Sequence, residues 1–286
     1  SYSVTGVQTC ALPISSLPES DARLAAVVSA AASVADHLNM LSDDIAQIRM
    51  QADDSIEKQV DVLNASLKQV DELNAEILAE RSAGHDATAL MDQRQSLVDK
   101  ISEIVPVRQV DRDRDQIALY TTGGAILLEG NPVEIGFSPV GVITADMTQA
   151  SGALSGLTLN GKPVSSADSG VLGGGTLGAL FAVRDELAPQ VQSELDAFAR
   201  DLIARFADPA VDPTLNSGDA GLFTDGGVAF DPLDEVGLAG RISLNAVVDP
   251  SAGGALWHLR DGLGAVAAGP VRSEEHTSEL QSPNTI

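Results

Sequence analysis

The chain has 286 residues, with 41 acidic and 17 basic side chains and a formal net charge of −24 at pH 7. Lysine and arginine are sparse and scattered, which argues against nucleic-acid binding, because such binding depends on neutralising phosphates. We also expect no membrane-spanning segment, since we find no apolar run that approaches the roughly 20 residues needed to cross a bilayer.

The two ends of the chain can be encoded by reverse-complementary DNA. RSEEHTSELQS, Arg272 to Ser282, has an allowed codon set whose reverse complement translates, in another frame, as TGVQTCALPI, Thr5 to Ile14. This relation is typical of a ligated sequencing adapter read through at both ends. We therefore interpret residues 1–16 and 272–286 as artefactual scars, which have no part in the fold.

The authentic fragment is then residues 17–271, and we expect it to be truncated on both sides. Without the one arginine and three glutamates of the C-terminal scar, its net charge is −22. Cys10 belongs to the N-terminal scar, so the fragment contains no cysteine. This excludes disulfides, thiolate metal sites and catalytic thiols.

Residues 17–105 are predicted to form the first part of a helical rod domain, because their apolar residues recur with a helical period. A narrow stripe with the 4-3-4-3 spacing of a coiled coil consists of Ile56, Val60, Leu63, Leu67, Val70 and Ile77. Asn74 fills the polar position of this seam, where we expect it to fix register. We interpret most of the stripe as an intramolecular helix pair, and packing on other copies of the chain stays open.

The boundaries of these helices follow from local signals. Ser42, followed by two aspartates, predicts a helix start or a bend, and Ile45, Ile48 and Ala52 continue the stripe beyond it. The first helix should stop near Gly84. A second helix, predicted from Ala87 to Ile104, should fold back antiparallel and presents on one side Leu90, Leu97, Ile101 and Ile104.

Residues 106–172 predict a β-rich inserted domain. Turn sequences separate six strand-like runs, VRQVDR, QIALYT, AILLE, VEIGF, VITADM and GLTLN. Asp111–Asp115 alternates aspartate with arginine, like the opening of a calcium loop. Gln116 and Thr122 stand where such a loop needs Gly and Glu, so we interpret the segment as a solvated turn.

Residues 173–271 are predicted to return to the rod domain, with a short hairpin. The expected apolar stripe is Leu177, Leu180, Phe181, Leu187, Val191, Leu195, Phe198, Leu202 and Phe206. Arg184 interrupts it, and Pro189 should kink the helix. A hairpin around GGVAFD, a strand in RISLNAVV and a short helix near GGALWHLRDGL follow. The fold class is therefore mainly α, with an inserted small antiparallel β domain on an elongated helical bundle or coiled-coil-like rod.

Residues that could carry chemistry form no catalytic constellation. His37, His85 and His258 lie far apart and lack metal-ligand spacing, and no G-x-S-x-G sequence occurs. We predict no enzyme, no metal and no cofactor. Gly173–Gly178 fits G-x-G-x-x-G before a helix, so a nucleotide-binding module stays an alternative, although no parallel β unit follows.

Four stretches, in this order, resemble the flagellar hook-associated protein 1 family, which forms part of the hook–filament junction. They are VDVLNASLKQVDELNAEI (60–77), ALMDQRQSLVDKISEIV (89–105), GGTLGALFAVRDELAPQVQSELDAFARDLIARF (174–206) and GRISLNAVVDPSAGG (240–254). Two family-like signatures lie within them. One is the D-Q-R of Asp92 to Arg94, and the other is R-D-x-L-x-P, which begins at Arg184 and Asp185.

The resemblance implies a non-enzymatic structural subunit, exported through the flagellar secretion apparatus to the extracellular flagellum. Its partners would be other copies of itself, the hook protein and adjacent junction or filament proteins, with an export chaperone as a further candidate. We expect the seam residues to carry packing or assembly together with Asp92, Arg94, Leu97, Arg184 and Asp185. The terminal helical segments of the family are missing, and a flagellin-like filament subunit stays a second alternative.

Overall fold

A computed structural model describes residues 20–167 and 169–270, so both predicted scars lie outside the described residues. The described part is mainly helical and carries small antiparallel sheets, which confirms the predicted fold class. The chain divides into two compact units. The terminal unit comprises Ser1–Met40 and Ala197–Ile286, and the central unit comprises Leu41–Asp196. The three-zone domain boundaries inferred from the sequence stay a prediction.

The first helix, α1, runs without interruption over Asp21–Ser82. It contains no glycine or proline, so no residue of high helical cost breaks it. A helix start at Ser42 is wrong, because α1 continues through it, and the alternative of a bend there stays a prediction. The predicted stop is confirmed: Gly84 has φ +79°, and the N–H groups of Gly84 and His85 bond to the carbonyls of Arg81 and Glu80.

The second helix, α2 (Thr88–Ile104), runs back along α1, as predicted. Arg81 contacts Met91 close to the turn, and Asn74 contacts Arg94 further from it. The second contact lies earlier in α1 and later in α2 than the first, which is the arrangement of an antiparallel helix pair.

The composition of α1 corrects one expectation. Among the described residues, α1 is the one helix long and apolar enough to cross a membrane by length and composition alone, near its N-terminus. The expectation that no apolar run approaches this length is therefore wrong. The same criterion also selects signal sequences and buried core helices, and α1 does bury one face in this region, formed by Leu24, Val28, Ala31, Ala35 and Leu38.

The central unit contains two antiparallel sheets. The first has four strands in chain order: β1 (Val107–Asp111), β2 (Ile117–Thr121), β3 (Ile126–Glu129) and β4 (Asn131–Pro132). The second has three, also in chain order: β5 (Ile135–Gly136), β6 (Leu157–Leu159) and β7 (Lys162–Val164). The strand predicted in VITADM is absent from the structure. This segment turns instead, with the N–H of Met147 bonded to the carbonyl of Thr144.

The long helix predicted after the glycine run consists of three segments: α3 (Gly175–Ala182), a π-helical turn (Val183–Leu187) and α4 (Ala188–Phe206). The N–H of Ala188 bonds to the carbonyl of Val183, five residues back. A π turn inserts one extra residue, here just before Pro189, which has no N–H to donate.

This extra residue shifts the buried face of α4 by one position. The predicted stripe is wrong at Leu187, Val191 and Phe198, whose side chains are 56%, 52% and 40% exposed. Leu177 and Phe181 of the predicted stripe are buried, and Arg184 occupies the next buried position. The buried positions of α4 are Ala188, Gln192, Asp196, Ala199 and Ile203.

Helices and strands of the central unit share one hydrophobic core. Its buried members include Ile56, Leu63, Leu67 and Val70 of α1, Ile101 of α2, Leu119 of β2, Leu127 and Leu128 of β3, Ile135 of β5, Leu157 of β6, and Leu177 and Phe181 of α3. Within the first sheet, β2 and β3 bury two or more of their residues, whereas most residues of β1 are exposed. The strands therefore depend on α1 and α2 for the apolar surface that they bury.

The terminal unit contains one two-stranded sheet and a short helix. β8 (Phe223–Asp225) pairs antiparallel with β9 (Ile242–Leu244), which confirms the strand predicted in RISLNAVV. Asp225 also bridges to Val228 across a glycine turn, at the predicted hairpin. The short helix α5 (His258–Asp261) lies in the predicted segment. Asn39 donates to the carbonyls of Ala239 and Ile242, at 2.8 and 3.1 Å.

Aspartates close the loops of the terminal unit and have low pKa values. Arg260 and the N–H of Gly269 both donate to Asp261, which lowers its pKa to about 2. Burial raises the pKa of Asp212, but hydrogen bonds from Thr214 and the N–H of Leu263 lower it overall. These carboxylates are therefore stabilised in their charged form.

The sign of these shifts predicts acid destabilisation. An aspartate whose folded pKa lies below its unfolded value of about 3.9 stabilises the fold above that pH, and the contribution is lost as the pH falls through the folded pKa. We expect the urea midpoint of the chain to fall between about pH 4 and pH 2. Asp261→Asn should lower the urea midpoint at pH 7. The midpoint of this variant should fall less steeply over this range than that of the wild type. Asp43→Asn, at an exposed site of α1, is the control, and parallel pH profiles for wild type and Asp261→Asn would contradict the prediction.

Candidate functional site: buried polar clusters of the central unit

Arg184 is the largest fully buried side chain in the described part of the chain. Its Nη1 donates to Asp53 at 2.5 Å, and Nε and Nη2 each donate to Asp185 at 2.9 Å. Nη2 also donates to the carbonyl of Ser155 at 2.8 Å. We call Arg184, Asp53, Asp185 and Arg49 the Arg184 cluster. It joins α1, the π turn and the segment before β6.

Two aromatic rings enclose the Arg184 guanidinium. Its central carbon lies 5.5 Å from the ring centre of Phe137 and 4.9 Å from that of Phe181, within the range of cation–π attraction. Burial alone lowers the pKa of Arg184, but hydrogen bonds and charges from Asp185 and Asp53 raise it overall. The side chain is therefore held as a cation inside the core.

Arg49 is the second buried arginine of the cluster, with 2% of its surface exposed. It donates to the carbonyls of Arg184, Thr144 and Met147 at 3.0, 2.9 and 2.6 Å. Burial lowers its pKa, and the charges of Asp185 and Asp146 oppose this shift. Because Arg49 donates to the carbonyls of Thr144 and Met147, the segment VITADM forms a turn beside the Arg49 guanidinium and does not pair as a strand.

Sequence reasoning identified Arg184 and Asp185 but missed Asp53 and Arg49. It placed Ile48 in the stripe, yet Ile48 is 47% exposed. The available signal was spacing: Arg49 lies four residues after Ile45, Asp53 lies four residues after Arg49, and Ile56 follows Asp53 by three residues. A pair of opposite charges inside an apolar helical stripe indicates a buried polar cluster, because unpaired charges are costly to bury.

Asn74 and Arg94 form the second polar cluster. In it the Asn74 side chain hydrogen-bonds the backbone of a strand, as a neighbouring strand would. Its Nδ2 donates to the carbonyl of Ile117 at 3.0 Å, and its Oδ1 accepts from the N–H of Ile117 at 3.2 Å. Arg94 donates to Asn74 Oδ1 at 2.8 Å and to the carbonyl of Asp115 at 2.7 Å. Burial lowers the pKa of Arg94, and the negative charges of Asp115 and, to a lesser extent, Asp111 oppose this shift. Asn74 thus contacts the facing helix, as its seam position implies, and also fixes the start of β2.

Asn64 repeats this arrangement at the second sheet. Its Nδ2 donates to the carbonyl of Ile135 at 2.8 Å, and its Oδ1 accepts from the N–H of Ile135 at 3.0 Å. Sequence reasoning missed Asn64. The signal was an internal repeat, V-D-x-L-N, which occurs at Val60–Asn64 and again at Val70–Asn74.

The asparagine contacts give a direct mutational prediction. Asn74→Ala should lower the free energy of unfolding by about 2–4 kcal/mol, because it leaves buried backbone and guanidinium groups without partners. Asn64→Ala should cost about 1–2 kcal/mol, since Asn64 is only half-buried and water can replace part of its bonding. Urea unfolding monitored by circular dichroism measures both. A larger loss for Asn64→Ala than for Asn74→Ala would contradict the order of burial.

The structure brings some predicted site residues together and separates others. The six apolar seam residues are at most 4% exposed, and Asn74, Arg94 and Leu97 are also buried. Asn74 meets Arg94, and Arg184 meets Asp185, whereas Asp92 lies on the exposed side of α2. These positions all lie within the chain's own packing, apart from Asp92. Their role in contacts between subunits stays a prediction.

The glycine run packs closely against the end of α2. Gly174 and Gly175 have φ values of +86° and +62°. A Cβ atom on Gly175 would lie 2.4 Å from the carbonyl oxygen of Ile104. All strand pairs of residues 20–167 and 169–270 are antiparallel, so the parallel unit of a dinucleotide site is not found there. The same residues contain no group of three or more His, Cys, Asp or Glu suited to a metal.

Comparison with protein-family models places these clusters in a known domain. The model described as "Flagellar hook-associated protein FlgK helical domain" matches residues 12–210, well over half of the chain. The chain belongs to the FlgK family. This confirms the resemblance found in the sequence, and the matched FlgK region contains both the Arg184 cluster and the two asparagines.

A solved FlgK structure has the same fold. The flagellar hook junction protein FlgK from Burkholderia pseudomallei superposes with a TM-score of 0.59 at 21% sequence identity. The match covers 79% of this chain and 40% of that FlgK, so the present chain spans less than half the length of its structural relative. A search of curated protein sequences gives no match.

Proposed function

We propose that this FlgK-family chain is part of a structural subunit that joins the flagellar hook to the filament and acts by assembly, without catalysis. The observation that carries the proposal is the match of residues 12–210 to the hook-associated helical domain. The proposed partners are other copies of the subunit, the hook protein and adjacent junction or filament proteins, with an export chaperone as a further candidate. The proposed location is the extracellular flagellum, after export through the flagellar apparatus.

The bonding of the buried polar groups supports a structural role. Every buried side-chain nitrogen or oxygen of the described residues has a hydrogen-bond partner. Arg184 and Arg49 donate their hydrogen bonds to carboxylates and backbone carbonyls of the same unit. Groups that are saturated in this way hold segments in register, whereas a catalytic base or acid must reach a substrate proton.

Genetic complementation tests the proposal. The full-length gene that contains this chain would be expressed in its source bacterium after deletion of the chromosomal copy, and flagella would be examined by immuno-electron microscopy. We expect restored filaments and label confined to the hook–filament boundary. Label along the whole filament would favour the flagellin-like alternative, and label absent from isolated flagella would overturn both.

A further inference from the structure

The turn between β6 and β7 carries the one Asn-Gly pair of the sequence, Asn160 and Gly161. Leu159 pairs with Lys162 across the turn, and the two central residues have φ +48° and +75°. Two positive φ values in a two-residue loop identify a type I′ turn, for which Asn-Gly is a preferred sequence. Both central residues are exposed. The same pair is chemically labile, because glycine leaves the backbone nitrogen after the asparagine unhindered.

An asparagine before glycine can lose ammonia through attack by its own backbone. The nitrogen of Gly161 would attack Cγ of Asn160, so that the N–Cγ bond forms and the Cγ–Nδ2 bond breaks. Nδ2 leaves as ammonia with the proton of the attacking amide, and the product is a five-membered succinimide ring. Water then opens this ring at Cγ to give aspartate, or at the backbone carbonyl to give isoaspartate, whose main chain is longer by one carbon. Both products carry a new carboxylate.

The folded conformation holds Asn160 away from this reaction. In a type I′ turn the nitrogen after the first central residue lies nearly opposite Cβ across the Cα–C bond, whereas the succinimide ring needs both on the same side. Two hydrogen bonds fix Asn160 in this state. The N–H of Glu134 donates to Asn160 Oδ1 at 2.9 Å, and the N–H of Asn160 donates to the carbonyl of Glu134 at 2.8 Å. The turn must therefore detach from Glu134, just before β5, for the ring to close.

We propose that Asn160 is the principal deamidation site of this chain, and that the folded turn keeps the reaction slow until its contact with Glu134 opens. The other asparagines of the sequence all precede residues that carry a side chain, and they are Asn39, Asn64, Asn74, Asn131, Asn216, Asn245 and Asn284. The two products differ in effect. Aspartate keeps an acceptor for the N–H of Glu134, whereas the longer main chain of isoaspartate shifts Leu159 out of register with Lys162.

Peptide mapping by mass spectrometry tests the proposal. The 286-residue chain would be incubated at mildly alkaline pH, in buffer and in concentrated urea, and the mass gain at each asparagine would be followed with time. In urea we expect Asn160 to convert before every other asparagine. In buffer its rate should be at least about tenfold lower, because two hydrogen bonds must break before the ring closes. A smaller difference between the two conditions, or faster conversion of a different asparagine in urea, would overturn the inference.

A matched pair of glycine substitutions tests the chemistry without depending on the fold. Gly161→Ala should slow the conversion of Asn160 in urea by about tenfold, because the added Cβ hinders the attacking nitrogen. Gly152→Ala should leave this rate unchanged. Gly152 is also exposed, has φ +77° and, like Gly161, has nothing within 4 Å of the position that its Cβ would take. An unchanged rate for Gly161→Ala, or an equal loss for Gly152→Ala, would contradict attack by the Gly161 nitrogen.

Discussion

Replacement of Arg184 by methionine is expected to reduce the free energy of unfolding by about 3–5 kcal/mol. Methionine fills similar space but leaves Asp53 without its cation, and Asp53 is only 1% exposed. The substitution also removes the guanidinium from between Phe137 and Phe181 and leaves the carbonyl of Ser155 without its donor. The large effect follows from an uncompensated buried charge, not from the intrinsic strength of the pair.

Urea unfolding of the 286-residue chain, followed by circular dichroism, measures this loss. The control is Arg205→Met, which breaks an ion pair with Asp201 in which the arginine side chain is 72% exposed. It should change stability by no more than about 0.5 kcal/mol. Asp53→Asn added to Arg184→Met should recover part of the loss, because it removes the orphaned charge. Equal effects of Arg184→Met and Arg205→Met would contradict the cluster's role.

Gly175→Ala is expected to cost about 2–4 kcal/mol, because two penalties act at this position. The residue has φ +62°, which an L-side chain resists, and its Cβ would lie 2.4 Å from the carbonyl oxygen and 2.8 Å from the carbonyl carbon of Ile104. Backbone atoms cannot rotate away as a flexible side chain could. Either α3 or the end of α2 must therefore shift, and both contribute to the shared core.

Gly84→Ala is the matched control for the glycine substitution. Gly84 has φ +79°, but nothing lies within 4 Å of the position that its Cβ would take. It should lose only about 1 kcal/mol, the cost of the left-handed conformation alone. Urea midpoints for both variants measure the difference. A loss at Gly175 no greater than that at Gly84 would show that α2 and α3 do not meet as closely as described.

The sequence was most informative where one strong local pattern decides the outcome. The apolar stripe from Ile56 to Ile77 predicts the buried face of α1, because six members at coiled-coil spacing leave a single consistent orientation. Gly84 ends the helix because it alone readily takes the left-handed cap. The seam position of Asn74 predicts that it fixes register, but its main hydrogen-bond partner, the backbone of Ile117, lies far along the chain.

The errors occur where a distant group decides the local structure. Whether Ile48 or Arg49 faces inward depends on carbonyls at Thr144 and Met147, almost a hundred residues away. The one-residue shift of α4 comes from the π turn, which no period analysis of a continuous helix contains. Such choices are set by polar partners within the core, and apolar periodicity carries no information about them.

Asparagine side chains of α1 hold the two sheets onto the helices, and we therefore expect the central unit to open as one body. Native-state hydrogen exchange of the Ile117 and Ile135 amides, which donate to Asn74 and Asn64, tests it most directly. Both amides should exchange only through global unfolding, with the same free energy as the Leu63 and Leu67 amides of α1. Exchange of the two strand amides by a separate opening, orders of magnitude faster than that of the helix amides, would contradict it.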